Sequence, residues 1–228
     1  MKKIAVILSG CGVYDGAEIH ESVFALLAIA ELGAEAVCFA PDDFQHHVVN
    51  HMTGNEMNEK RNMMVEAARI ARGHIQPLQS FNASGVDGLV IPGGFGTAKN
   101  LTQWAFSGPD GTIREDVSAA IKAMVQNKKP VVALCMGPVV VAKALESLHI
   151  HPELTVGTIS EQSPYEIQAI SEGIKKTGAI PVMKSVREIS IDHASRIISA
   201  PCYMMEASLL DVRNNIRQAI EAMMKMLS

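Results

Sequence analysis

No run of basic residues occurs in this 228-residue chain, and its formal net charge is −4. The electrostatic footprint of a nucleic-acid binder is therefore missing. No apolar stretch reaches the roughly 20 residues that a membrane-spanning helix needs. The opening Met1-Lys2-Lys3-Ile4-Ala5-Val6-Ile7-Leu8 resembles a signal peptide, but the apolar run is brief and Gly10-Cys11-Gly12 follows it. A first core strand explains it better, and the expected location is cytoplasmic. Cysteine is scarce and scattered: Cys11, Cys38, Cys135 and Cys202 form no C-x-x-C pair. That spacing argues against a zinc framework and a disulfide scaffold alike, and leaves four free thiols. With no internal repeat, low-complexity tract or linker, residues 1–228 read as one domain.

What the chain does have is strands alternating with helices. Residues 3–8 form a short, continuous apolar run, as expected of a buried strand. A helix over 18–32 ends at Gly33, and a second strand over 36–40 is stopped by Pro41. A helix over 59–72 and a short extended piece over 75–78 follow. Residues 88–91 form the next strand, closed sharply by Pro92-Gly93-Gly94-Phe95-Gly96. Residues 97–111 read as a polar loop and 113–126 as a helix. The strand 131–134 runs into a helix over 138–148 with proline in its first turn. Segments 154–158 and 179–186 look extended, with a helix over 165–176 between them. Residues 189–191 and 196–199 alternate around Asp192-His193-Ala194-Ser195, as a hairpin does. A closing helix over 209–227 carries Met223, Met224 and Met226, which suit a core or dimer face.

This order predicts an α/β fold: a three-layer, flavodoxin-like, doubly wound and mostly parallel sheet with a small β-hairpin. Ligands of such sheets bind outside the carboxyl ends of the strands. Three loops fall there: 9–16, 92–96 and the turn at Cys135.

That turn is the strongest chemical signal. Val131 to Leu134 ends in Cys135, and a helix starts at once, as in a strand-to-helix elbow that carries a nucleophile. Such an elbow strains its central residue and needs small neighbours, which Ala133 and Gly137 supply. A buried core cysteine is the plainer alternative. A working thiol must be partly thiolate, and the amino end of the following helix favours negative charge. Gly93 and Gly94 are candidates to offer backbone amides to a developing oxyanion, with the Met136 amide as second donor. The partner acid is Glu18 or Glu21, three residues apart on one helix face; beside a thiolate, such a carboxyl holds its proton more tightly. Of eight histidines, none stands in an obvious pairing position, and His20 points away from both glutamates. Cys11 in the first loop and Tyr203 after Cys202 are possible site contacts. No residue pattern calls for a metal.

Ile7-Leu8-Ser9-Gly10-Cys11-Gly12-Val13-Tyr14-Asp15-Gly16, Glu18-Ile19-His20-Glu21, Cys38-Phe39-Ala40-Pro41-Asp42 and Pro92 to Gly96 with Lys99-Asn100-Leu101 resemble the enhancing lycopene biosynthesis, or sigma cross-reacting, protein family. That family looks like a branch of the class I glutamine amidotransferase-like (PfpI-type) superfamily, and residues 133–138 are similar to its nucleophile turn. The resemblance implies Cys135 as nucleophile and an acid from the first helix, Glu21 by its distance from Gly33. It implies glutathione-independent glyoxalase chemistry, glyoxal to glycolate, without a cofactor, associated with isoprenoid biosynthesis, and a homodimer. The missing partner histidine departs from true amidotransferases and proteases. Two other readings compete. Cys135 in a non-catalytic redox sensor or interaction factor is one. A nucleotide-binding module at Gly10, Gly12 and Gly16 with Asp42 and Asp43 is the weaker one, because the third glycine falls one residue late.

Overall fold

The computed structural model describes residues 1–227. In chain order the elements are β1 (Lys3–Ile7), α1 (Ile19–Glu31), β2 (Glu35–Ala40), α2 (Met63–Ile70), β3 (Ile75–Pro77), β4 (Gly88–Ile91), α3 (Phe95–Asn100) and α4 (Trp104–Ser107). Then come α5 (Glu115–Gln126), β5 (Val131–Leu134), α6 (Gly137–Glu146), β6 (Glu153–Leu154), α7 (Ile167–Lys176), β7 (Ile180–Pro181), β8 (Ser190–Asp192), β9 (Ile197–Ala200) and α8 (Leu209–Met226).

Seven strands form one sheet in the order β3-β2-β1-β4-β5-β9-β8, all parallel except β8, which pairs antiparallel with β9. The predicted doubly wound sheet with its hairpin is thus present. Every residue of β4, β5 and β9 is buried. Strands covered on both faces need unbroken apolar runs, and Gly-Leu-Val-Ile and Val-Val-Ala-Leu supply them. Helices cover both faces, α1 packed with α8 and α5 with α6.

The chain runs outward from β1 to β3, then returns to place β4 on the other side of β1. That reversal is the topological switch point, where a crevice opens at the strands' carboxyl ends. The register fixes what surrounds it. Val6 is opposite Val90, Ile91 opposite Ala133, and Leu134 opposite Ala200. The chain therefore leaves the sheet near residues 8, 92, 135 and 201 along one edge.

Two expectations need correction. Residues 97–111 are not a loop: they hold most of α3, all of α4 and a 3-10 turn at Gly108–Asp110. Helices of four to six residues are too short to show a period in sequence. They are anchored instead by tertiary bonds, the Asn100 amide donating to the carbonyls of Ser9 and Asp15 at 2.8 and 2.9 Å. The extended segments 154–158 and 179–186 contribute only β6 and β7, two residues each, in a separate parallel pair. Pro181 has no N–H to donate to a longer ladder.

Candidate active site at the switch point

Cys135 follows β5 directly and has φ of +53°, in the left-handed region. That conformation costs a non-glycine residue about 1–2 kcal/mol, so its surroundings must hold it. The Cys135 amide donates to the Ala200 carbonyl at 2.9 Å, extending the β5–β9 ladder by one bond. Small residues let the turn close. A side chain on Gly137 would begin 2.6 Å from the Ile91 carbonyl oxygen, and one on Gly93 would begin 2.4 Å from Cβ of Cys135. The elbow needs glycine at both places, because the Ile91 backbone fills the space at Gly137 and the Cys135 side chain and Met136 amide fill it at Gly93.

Glu21 lies in the first turn of α1 and is fully buried. Glu18 caps that helix, its Oε2 accepting from the Glu21 amide at 2.6 Å. The alternatives left open by the sequence thus separate: Glu18 serves the helix end, and Glu21 turns inward. The Glu21 carboxylate oxygens accept from the amides of Gly93 (2.9 Å) and Tyr203 (3.3 Å). Its carboxyl is also hydrogen-bonded to the Cys135 thiol. Burial, then the nearby Glu18 charge, push the Glu21 carboxyl up to about 8. Burial and then Glu21 push the Cys135 thiol well above its usual value, with the Gly94 amide opposing.

At neutral pH the pair therefore rests as thiol and carboxylic acid, not as the thiolate that the helix amino end was expected to favour. The helix terminus offers a fraction of a charge; removing a thiolate from water beside a carboxyl outweighs it. The carboxyl does hold its proton tightly, but burial is the larger cause. Sulfur can pass its proton to this carboxyl only after the carboxyl has released its own.

The glycine pair divides its work differently from the sequence expectation. The Gly93 amide is committed to Glu21, so it is not a free oxyanion donor. Its carbonyl is committed too, accepting from the Glu18 amide and the Thr97 hydroxyl at 2.9 Å each. The Gly94 amide faces the Cys135 sulfur. Gly94 has φ of +102°, and a side chain there would meet the Gly16 carbonyl at 2.6 Å. The Met136 amide lies 2.7 Å from where a side chain on Gly93 would start, a position that is itself 2.7 Å from Sγ of Cys135.

The remaining candidates scatter. Cys11 is partly exposed, with Glu66, Arg69, Asp15 and Glu18 as its charged neighbours. Cys38 is a core residue, pushed up to about 11 by burial. Cys202 is fully buried beside the Cys135 backbone amide, its own amide held by Asn215 Oδ1 at 3.0 Å. Tyr203 does reach the site, through its backbone amide on Glu21 and its hydroxyl, 2.9 Å from His20 Nδ1. His20 thus turns toward the site mouth, which its helix position alone did not show. None of the histidines bonds Cys135 or Glu21 among the described residues.

Sequence reasoning missed Tyr165. Its phenol lies in the field of Cys135 and Glu21 and is pushed up to about 12, first by burial and then by those two groups. Its ring packs edge-on against Phe95 at 5.3 Å. No motif marks it; it reaches the switch point from the loop before α7. Val13, Glu18, His20, Tyr165, Tyr203 and Met205 line a cavity of about 610 Å³ at this mouth. A larger cavity of about 850 Å³ lies elsewhere, beside residues 44–60. Neither cavity is lined by Cys135 or Glu21 itself; the smaller one is lined by Glu18 and Tyr203, the residues hydrogen-bonded to Glu21. Among the described residues, no group of three or more His, Cys, Asp or Glu side chains is placed to hold a metal ion.

No family model matches the chain. It is 37% identical over 228 residues to human glutamine amidotransferase-like class 1 domain-containing protein 3, mitochondrial, covering 98% of this chain and 83% of that protein. It is 38% identical over 227 residues to the rat ES1 protein homolog, mitochondrial, covering 98% and 82%. The chain belongs to the ES1, glutamine amidotransferase-like class 1 family. Among solved structures, an isoprenoid biosynthesis protein with amidotransferase-like domain from Ehrlichia chaffeensis is 34% identical, covers 100% of both chains and superposes with a TM-score of 0.90. The ES1 fold extends to much more distant proteins. Glyoxalase III from Candida albicans shares it at 14% identity, 97% coverage of both chains and a TM-score of 0.62. No helix among the described residues is long and apolar enough to cross a membrane.

Proposed function

We propose that this ES1-family protein is a cofactor-free, Cys-dependent enzyme that converts small reactive dicarbonyls to hydroxy acids, glyoxal to glycolate being the simplest case. The observation that carries the reading is the buried Cys135–Glu21 pair: a strained thiol hydrogen-bonded to a carboxyl that is pushed up to about 8.

The chemistry follows from that pair. The Cys135 sulfur adds to one aldehyde carbon, its proton passing to the carbonyl oxygen to give a hemithioacetal. The Gly94 and Met136 amides stabilise the oxygen as charge develops on it. Glu21, as carboxylate, takes the proton from the sulfur-bearing carbon, leaving an enediol, and returns it to the neighbouring carbon. A carboxyl whose pKa lies near the working pH suits both halves of that transfer. The former aldehyde carbon is oxidised to a thioester and its neighbour reduced to an alcohol, so no outside electron carrier is needed. Water then cleaves the thioester, releasing glycolate, and the thiol is restored.

The pairing of two chains is retained in this proposal, with Ile19, Val23 and Leu27 as an exposed apolar stripe on α1 that supports it. Four free thiols suit a reducing compartment, the cytoplasm in the sequence reading and the mitochondrion in the relatives' names. The reading is tested by following glycolate from glyoxal without glutathione. Wild type is expected to produce it and Cys135→Ala to lose at least a hundredfold in rate. Equal turnover by the variant removes Cys135 from the mechanism. If wild type produces none while Cys135 oxidises under mild peroxide, the sensor reading replaces it.

A further inference from the structure

Glyoxal is far smaller than the cavity at the site mouth, whose wall carries Glu18 and Tyr203, both hydrogen-bonded to Glu21. At about 610 Å³, that cavity falls in the range of about 300–1,000 Å³ that holds drug-sized molecules. Its walls are mostly apolar or aromatic: Val13, Pro164, Tyr165, Tyr203, Met205 and Ala207. Both rings are fixed. Tyr165 rests edge-on against Phe95 at 5.3 Å, and Tyr203 is tied through its hydroxyl to His20 and through its amide to Glu21. Rigid aromatic walls favour a flat apolar guest.

The charges on the rim are one-sided. Glu18 and Glu206 line it, no lysine or arginine does, and His20 is the one group able to turn positive. A carboxylate or phosphate on the substrate would meet two acids and no fixed cation. Polar contact is available at one point: the Tyr165 hydroxyl has no hydrogen-bond partner among the described residues, so it is free to donate to a carbonyl oxygen.

We propose that this cavity binds the body of an uncharged aromatic or bulky apolar α-oxoaldehyde, with the Tyr165 hydroxyl donating to its carbonyl oxygen, and that it rejects anionic analogues. This rests on the preceding reading for turnover, but binding can be tested without it. The arithmetic of the step is unchanged. For phenylglyoxal, the aldehyde carbon is oxidised to the acid and the ketone carbon reduced, so water addition gives mandelate and one proton.

The experiment compares kcat/KM for glyoxal, phenylglyoxal and 4-carboxyphenylglyoxal, the last two matched in shape and differing in charge. Two variants away from the reacting groups accompany wild type. Ala207→Trp fills the cavity, and Glu206→Lys reverses one rim charge. Wild type is expected to prefer phenylglyoxal over its carboxylate at least fivefold. Ala207→Trp is expected to lower phenylglyoxal turnover at least tenfold, and by a clearly larger factor than it lowers glyoxal turnover. Glu206→Lys is expected to raise use of the carboxylate about two- to fivefold. In parallel, saturation-transfer NMR with acetophenone and 4-acetylbenzoate reads binding alone, with signal expected for the ketone and lost in Ala207→Trp. Equal use of charged and uncharged substrates, equal losses on both aldehydes in Ala207→Trp, or acetophenone binding indifferent to Ala207→Trp would each overturn the cavity assignment. Acetophenone binding without turnover of any aldehyde would overturn the enzyme reading and leave the cavity assignment standing.

Discussion

Replacing Glu21 with glutamine removes a titrating group from the core while keeping its shape, and the effect on stability is predictable in sign. The folded protein holds the Glu21 proton with a pKa of about 8, against 4.5 for a solvated glutamate. Between those values the folded state keeps a proton that the unfolded chain has released. Stability from this group is fully present below about pH 4.5 and is lost as pH rises toward 8. One pKa unit corresponds to about 1.4 kcal/mol. Integrating the two titrations from pH 5.5 to 7.5 gives a loss of about 2–3 kcal/mol from Glu21 alone.

Glu21→Gln abolishes that slope. It also introduces a fixed cost, because both carboxyl oxygens accept backbone amides, from Gly93 and Tyr203. One of those amides would then face an NH₂ group, at about 1–3 kcal/mol for the unsatisfied donor. Urea unfolding of both proteins at pH 5.5, 6.5 and 7.5 measures the difference. The variant is expected to be the less stable at pH 5.5 and to close the gap by about 2–3 kcal/mol at pH 7.5. A stability difference that stays constant over those two units would refute the raised carboxyl.

The same group should govern rate. Because Glu21 must be ionised to accept a carbon-bound proton, kcat/KM for glyoxal should climb nearly tenfold per unit below an apparent pKa near 8 and level off above it; a flat profile from pH 6 to 8 would remove Glu21 as the base. Gly93→Ala would place a carbon 2.4 Å from Cβ and 2.7 Å from Sγ of Cys135. It should destabilise the fold by about 1–3 kcal/mol through overpacking and slow alkylation of Cys135, read by peptide mass spectrometry. Asn215 is buried, its Oδ1 holding the Cys202 amide and its Nδ2 donating to the Glu188 carbonyl at 2.8 Å. Asn215→Ala leaves both partners unmet and should cost about 2–4 kcal/mol in urea unfolding, whereas a change below half a kcal/mol would show that water replaces it.

Much of this protein was legible in its sequence because the determining forces act locally or repeat along the chain. Continuous apolar runs at β1, β4 and β5 mark strands buried on both faces. Their alternation with helices fixes a doubly wound sheet, and such a sheet has one catalytic edge. The elbow at Cys135 was readable because backbone strain demands small residues at set positions.

Partners were a different matter. Whether Glu18 or Glu21 turned inward depended on which one capped α1, a question of dihedral angles and not of composition. That the Gly93 amide serves Glu21 instead of an oxyanion depended on the register bringing residue 93 beside residue 21. Tyr165, Tyr203 and His20 meet at the mouth from three segments far apart in sequence, so no spacing rule links them. The protonation state was the least accessible. The sequence supplied a thiol, a carboxyl and a helix terminus; only burial, a property of the packed whole, decided that desolvation outweighs the terminus and that thiol and carboxyl rest uncharged at neutral pH.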